Sequence, residues 1–228
     1  MSKIRIISQS DEPFADRVEA GRLLAKELDD LRNKRAVVLG IPRGGLVVAH
    51  VLANNLNGYL DIVLSRKLGA PGNPELAIGA ISEEGKIFLN DEVVLMTGTQ
   101  KEYIQREKKL QLEEMSERAK IYRKVRAKVS LQNKDVIITD DGIATGATMR
   151  AAVLTARQEN PKRLVVALPV GAEDSVRGLG EYCDEIVVLR APSVLMYIGD
   201  FYLDSKQTTD EEVIEILKEA SLKQDTIY

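Results

Sequence analysis

Two adjacent acids, Asp140 and Asp141, close an apolar run and open a loop of small and hydroxyl residues, in the stretch VIITDDGIATGAT from Val136 to Thr148. Carboxylates accept hydrogen bonds from hydroxyls and repel phosphate, so this pair suits the vicinal hydroxyls of a sugar. The loop that follows suits the opposite partner. Gly142 permits a tight turn, Ile143 and Ala144 continue it, and Thr145, Gly146, Ala147 and Thr148 stand where a helix begins. The first N–H groups of a helix have no internal acceptor, and its dipole favours an anion there. No lysine is present, and the GxxxxGK[ST] pattern of a triphosphate-gripping loop is absent. One phosphomonoester beside two acids describes a ribose 5-phosphate with free 2- and 3-hydroxyls.

Cations mark two other strand ends. The run AVVLGI, residues 36–41, leads into Pro42-Arg43-Gly44-Gly45, and a guanidinium beside two bare glycines suits a second anion. The run from Tyr59 to Leu64 leads into Ser65-Arg66-Lys67 and then LGAPGNPELAIGA, which reads as one edge of a mobile loop able to close over a polyanion.

The thirteen residues 136–148 resemble the phosphoribosyl pyrophosphate (PRPP) motif of the type I phosphoribosyltransferases, and the resemblance extends in order along nearly the whole chain. It implies an α/β fold with a doubly wound, mostly parallel five-stranded sheet, a β-hairpin and long-helix insertion, and a C-terminal hood. It implies transfer of ribose 5-phosphate from PRPP to a nitrogenous base with release of pyrophosphate, as in nucleotide salvage. By this resemblance residues 142–148 hold the 5-phosphate and Asp140 and Asp141 hold the ribose. Arg43, Gly44, Gly45, Arg66 and Lys67 meet the pyrophosphate, with a non-proline cis peptide expected at Arg43–Gly44. Asp140, Asp141, Arg43 and Lys67 are the catalytic candidates. The cofactor implied is Mg2+, carried mainly by PRPP with Asp140 and Asp141 as further ligands. The hood, residues 191–204, gathers Tyr197, Phe201 and Tyr202, whose rings are candidates to stack on a base beside Asp200 or Asp204, although aromatics near a terminus more often close a core. No acid or lysine stands out between Met149 and Thr155 to activate a purine, so the acceptor stays open. The same fold also serves regulators that bind PRPP or a nucleotide without turnover. A phosphoacceptor receiver, the other class with an acidic pair, would carry its pair near the N-terminus.

The elements that must position these groups are legible as periodicity. Val136 to Ile138 lack the alternation of a half-wet strand and suit a strand covered on both faces. A helix is expected over 11–31, buried strands over 36–41, 59–64, 164–170 and 185–190, and a hairpin over 77–81 and 86–89. A charged helix over 99–128 keeps a narrow apolar face of Ile104, Leu112, Met115, Ala119 and Tyr122, for the domain or for another subunit, with Glu102–Arg106 and Glu114–Arg118 as supporting pairs. Its basic end, Arg118 to Lys128, reads as a solvated face. Thr209 to Glu212 forms a capping box for a last helix. The expected organisation is one domain over 1–228, with residues 66–130 as insertion and 191–228 as hood and final helix.

Bulk properties narrow the classes. A formal charge of −3 gives no global attraction to nucleic acid or anionic lipid. No apolar run reaches membrane-span length, and the first residues lack a signal peptide's apolar core, so a cytoplasmic protein is expected. Cys183 is the only cysteine and reads as buried filler. His50, the only histidine, lies in a helical stretch away from the acid pair, which disfavours histidine-based catalysis.

Overall fold

The computed structural model describes residues 2–225, with the backbone alone at 75, 224 and 225. Its centre is a six-stranded sheet, every neighbouring pair parallel, built from β1 (Lys3–Ser8), β2 (Val37–Gly40), β3 (Tyr59–Ile62), β7 (Asp135–Thr139), β8 (Arg163–Val170) and β9 (Glu185–Arg190) in the order β1-β9-β8-β7-β2-β3. Successive strand residues feed opposite layers. Val38, Ile137, Val165 and Val187 pack beneath α1 (Arg17–Glu27), α2 (Gly44–Leu56) and α7 (Asp210–Asp225). Val37, Val136, Ile138 and Val166 pack beneath α5 (Ala147–Arg157) and α6 (Glu173–Leu179). Side chains on both faces of the inner strands are thus withdrawn from water, which is why the runs in β2, β7 and β8 are apolar and do not alternate.

Five strands were expected, and the sixth is β1. It is an edge strand whose Lys3 and Arg5 face acids while Ile4 and Ile6 lean on the core. Arg5 pairs with Glu27 at 2.6 Å and Lys3 with Glu185 at 3.7 Å. An alternating hexapeptide with charges on one face signals such an edge, but weakly. The first helix is also shorter than the expected 11–31. It starts after Asp16, whose carboxylate accepts from the Glu19 N–H, and Pro13 lies before it.

The insertion differs most from expectation. Arg66 and Lys67 lie in β4 (Ser65–Ala70), which pairs antiparallel with β5 (Asn73–Ser82), itself paired with β6 (Ile87–Leu89). The stretch read as one edge of a mobile loop is therefore a hydrogen-bonded strand. Its turn, Ala70-Pro71-Gly72-Asn73, has Gly72 at φ 74°, the geometry that a Pro-Gly pair favours. The long charged helix forms as one piece close to its expected bounds, and a short helix that was not expected precedes it. A short α3 (Asp91–Thr97) ends at Gly98 in the left-handed region, and α4 runs Lys101–Val125. Within α4 the ion pairs are Lys109–Glu113 and Lys120–Glu117, not the two expected.

The basic end of α4 is not simply solvated. Arg123 donates to Asp61 at 2.6 Å and to Glu83 at 2.6 and 2.9 Å, and Arg126 donates to the Leu60 carbonyl at 2.8 and 3.0 Å. Lys128 bridges Glu84 and Glu159. Asp61 is 1 % exposed and also accepts from the Val129 N–H at 2.8 Å. These contacts clamp α4 and the β5–β6 turn onto β3. Arg123→Met would leave Asp61 buried without its counter-ion, and a loss of about 3–5 kcal/mol is expected in urea unfolding. A loss under about 1 kcal/mol would show the clamp to be dispensable.

Among the described residues no helix is long and apolar enough to cross a membrane.

Candidate functional site

In this sheet the chain runs one way from β2 to β3 and the other way from β7 through β8 to β9, so the order reverses between β2 and β7. Loops leaving the carboxyl ends of strands at such a point turn apart and leave a crevice for a ligand. Gly40 and Thr139 are register partners, and the Ile41 N–H donates to the Thr139 carbonyl at 3.0 Å. The two stretches singled out by their chemistry, PRGG and DDGIATGAT, therefore emerge side by side.

Their contact explains the glycines. A Cβ on Gly45 would lie 2.6 Å from the Asp140 Cα and 3.0 Å from the Thr139 carbonyl oxygen, and one on Gly44 would lie 2.7 Å from the Asp141 Cγ. Only bare backbone allows this approach. The non-proline cis peptide is Pro42–Arg43, one bond earlier than the expected Arg43–Gly44.

The acids have unequal surroundings. Asp141 accepts from Arg17 Nε and Nη2 at 2.9 and 2.7 Å. Arg17, in the first turn of α1, also lies 5.0 Å over the Tyr202 ring and donates to the Lys206 carbonyl. The Tyr202 hydroxyl donates to the Asp141 carbonyl at 2.6 Å. Asp140 accepts from the Asp141 N–H at 2.8 Å, and the nearby guanidinium of Arg17 is spent on Asp141. Burial first, and Asp141 second, hold the Asp140 carboxyl well above the usual carboxylate range.

The next turn is held by hydrogen bonds on both sides of Ile143, from its N–H to Val170 and from the Ala172 N–H to its carbonyl, each 3.0 Å. Gly142 sits where a Cβ would meet Val170 and Ile198 at 2.7 and 2.8 Å. Gly146, at φ 72°, then caps α5. Among the described residues the N–H groups of Ala144 to Thr148 donate to no carbonyl, so this turn presents converging donors at a helix start. Thr145 and Thr148 are exposed there.

A cavity of 660 Å³ opens beside this turn. Its walls bring together Pro42, Arg66, Lys67, Thr145, Ala147 and Thr148, with α4 along the far side. Neither aspartate is in its wall, and Arg43 is directed elsewhere. The Arg43 guanidinium lies 3.8 Å from Asp210, which also accepts from the Tyr122 hydroxyl.

The hood residues divide. Tyr197 is 69 % exposed, whereas Phe201 and Tyr202 are 5 % and 3 % exposed and close the core beneath α1. Phe14 donates its N–H to the Phe201 carbonyl and packs on Tyr202. Phe201 and Tyr202 therefore offer no free face to a base, and Tyr202 acts instead on the backbone of Asp141. Arg17 and Asp210 were missed in the sequence, because only the fold brings residues so distant to the two loops. Cys183 is buried, its thiol pushed up to about 11 by that burial, and donates to the Leu179 carbonyl. His50 lies on α2, 3.6 Å from Glu219, and burial lowers its pKa.

Comparison with known proteins bears on the family and the fold. The family model described as the phosphoribosyl transferase domain matches residues 15–187. A crystal structure of TT1426 from Thermus thermophilus superposes with a TM-score of 0.87 at 44 % identity, over 91 % of this chain and 98 % of that one. Two proteins of Mycobacterium tuberculosis, from strains CDC 1551 and H37Rv and described provisionally as phosphoribosyl transferases, are each 42 % identical over 207 residues. The match covers 91 % of this chain and 47 % of theirs, so the chain spans about half the length of these curated relatives. With the family model covering most of its length, the chain belongs to the phosphoribosyl transferase domain family.

Proposed function

We propose that the protein transfers ribose 5-phosphate from PRPP to a nitrogenous base. The bond from C1 to the pyrophosphate oxygen breaks, with the electron pair leaving on pyrophosphate. The lone pair of the acceptor nitrogen forms the new C1–N bond, and its proton passes to water. The observation that carries this reading is the seating of Gly44 and Gly45 against Asp140 and Asp141, next to a turn of unpartnered N–H donors. Donors at 144–148 would hold the 5-phosphate. The acids would hold the ribose hydroxyls and offset positive charge developing at C1. Arg66 and Lys67 in the cavity wall, with Arg43 released from Asp210, would take the departing pyrophosphate.

Among the described residues no cluster of three or more acids, histidines or cysteines is placed to hold a metal ion, and Asp141 is engaged by Arg17. Mg2+ would be carried in on PRPP, and Asp140, the acid of the pair without an ion-pair partner among the described residues, would be its protein ligand. When bound, Mg2+ would neutralise charge on the pyrophosphate.

A pyrophosphate-release screen over nucleobases with PRPP and Mg2+ tests the proposal. Release with at least one base is expected, and tight PRPP binding without release would favour the regulatory reading, which the Arg17–Asp141 pair also suits. Thr145→Val should raise the Kd for PRPP about tenfold by removing a hydroxyl from the cradle. An unchanged Kd would place the 5-phosphate elsewhere.

A further inference from the structure

The long helix α4 carries two stripes. Ile104, Met115 and Tyr122 are buried against the rest of the chain. Tyr103, Glu107, Gln111, Glu114 and Arg118 follow at spacings of four, four, three and four residues and border the 660 Å³ cavity, as do Thr145 and Thr148. At 1.5 Å per residue this second stripe runs about 22 Å, enough to face a sugar phosphate and a base together.

Its chemistry is graded. Arg118, at one end of the stripe, shares the cavity wall with Arg66 and Lys67. The middle of the stripe is rich in acceptors. Gln111 Nε2 donates to Glu107 Oε1 at 3.0 Å, and the other side-chain oxygens of this pair make no hydrogen bond among the described residues. Among the described residues neither Glu107 nor Glu114 has an ion-pair partner, although Lys109 on the same helix is engaged by Glu113. Leu110 and Met115 add apolar wall, and Tyr103 an aromatic ring. The C-terminal segment offers less, since Phe201 and Tyr202 are buried.

We propose that the acceptor is recognised by this stripe of α4, with Gln111, Glu107 and Glu114 accepting from amino or ring N–H groups, so that the acceptor is an amino-bearing heterocycle and not a carboxylated one. The inference rests on the phosphoribosyl-transfer reading. Two carboxylates facing a carboxylated acceptor would repel it, whereas each N–H donor finds an acceptor ready.

The test uses the full chain with PRPP and Mg2+, adenine and cytosine as amino-bearing probes, and orotate and nicotinate as carboxylated ones. Binding of PRPP is measured separately by calorimetry. Turnover is expected with an amino-bearing probe. Gln111→Ala and Glu107→Gln should each raise the acceptor KM about tenfold or more, with the Kd for PRPP within about twofold of wild type. Glu113→Gln, a matched change on the opposite side of α4, should leave both unchanged. Preference for orotate or nicotinate would overturn the inference, as would an acceptor KM unmoved by both α4 variants. PRPP that binds while neither amino-bearing probe reacts would also overturn it, without touching the donor site. Failure of PRPP itself to bind would remove the reading beneath it.

Discussion

Asparagine at position 140 is expected to yield a more stable protein that no longer turns over PRPP. Asp140 keeps its carboxyl in a half-buried place, next to Asp141 and packed against Gly45. Burial and the neighbouring acid both disfavour ionisation, so the folded-state pKa lies well above the unfolded one. The folded protein then binds the proton more tightly than the unfolded chain, and stability falls as pH rises from the unfolded pKa through the folded one. Below the unfolded pKa both states hold the proton and the aspartate costs nothing. Above the folded pKa the whole cost is present. The amide removes it while still offering Oδ1 to the Asp141 N–H, now at 2.8 Å. The variant should match wild type near pH 3 and exceed it by about 1 kcal/mol at pH 8, a Tm rise of about 2–4 °C for a chain of this size. Turnover should drop about 100-fold or more, because a negative charge facing the developing positive charge is gone. Melting curves at the two pH values, beside a pyrophosphate assay, check both halves. A less stable variant at pH 8 would mean that the carboxylate supports the fold, and unchanged turnover would remove its role at the ribose.

What could be read from the sequence and what could not divide along one physical line. The strand, acid pair and turn of 136–148 are contiguous, so their local chemistry is written in consecutive letters, and a turn into a helix forms there, with Gly146 instead of Gly142 at positive φ and the helix starting at Ala147. The PRGG loop was legible for the same reason. Its place beside the acids follows from strand order, which alternation of strands and helices only narrows. Residues that act across the fold left no local mark. Arg17 is an ordinary basic residue in a first helical turn until α1 brings it to Asp141. Asp61 is a lone acid in the strand run 59–64, yet it is the buried anchor for Arg123 from another element. The aromatic tail left two readings open for a related reason, since ring content alone does not separate recognition from closure of a core, and Phe201 and Tyr202 take the core. The 77–81 and 86–89 hairpin was legible and forms as β5 against β6, but residues 65–76 were a miss of a different kind. The Pro71-Gly72 turn signal was present, but glycine-rich strands carry little periodicity, and β4 went unread as a strand.

A single methyl group on Gly45 should do more damage than removal of most whole side chains in this region. The added Cβ would lie 2.6 Å from the Asp140 Cα and 3.0 Å from the Thr139 carbonyl oxygen. Both obstacles are backbone at the end of β7, where Thr139 is paired with Gly40 in the sheet. Neither can swing aside as a side chain would, so the two loops must separate. A stability loss of about 1–3 kcal/mol is expected from such overpacking. The larger effect falls on the site, because the same separation misaligns the acids with the N–H donors of residues 144–148. A displacement of about 1 Å in a positioned site can cost about 100-fold, and the Kd for PRPP should rise by that order. Gly44→Ala supplies the internal comparison. Its Cβ would press on the Asp141 carboxylate, a side chain held by Arg17, and this obstacle can yield by breaking one ion pair. Its loss of PRPP affinity should therefore be smaller than that of Gly45→Ala. Gly178→Ala, in α6 with nothing within 4 Å of the new Cβ, should gain about 0.5–1 kcal/mol from helix propensity and leave PRPP binding alone. Urea unfolding and calorimetric titration with PRPP order the three. If Gly45→Ala binds PRPP as wild type does, contact between the β2 and β7 loops is not what builds the site.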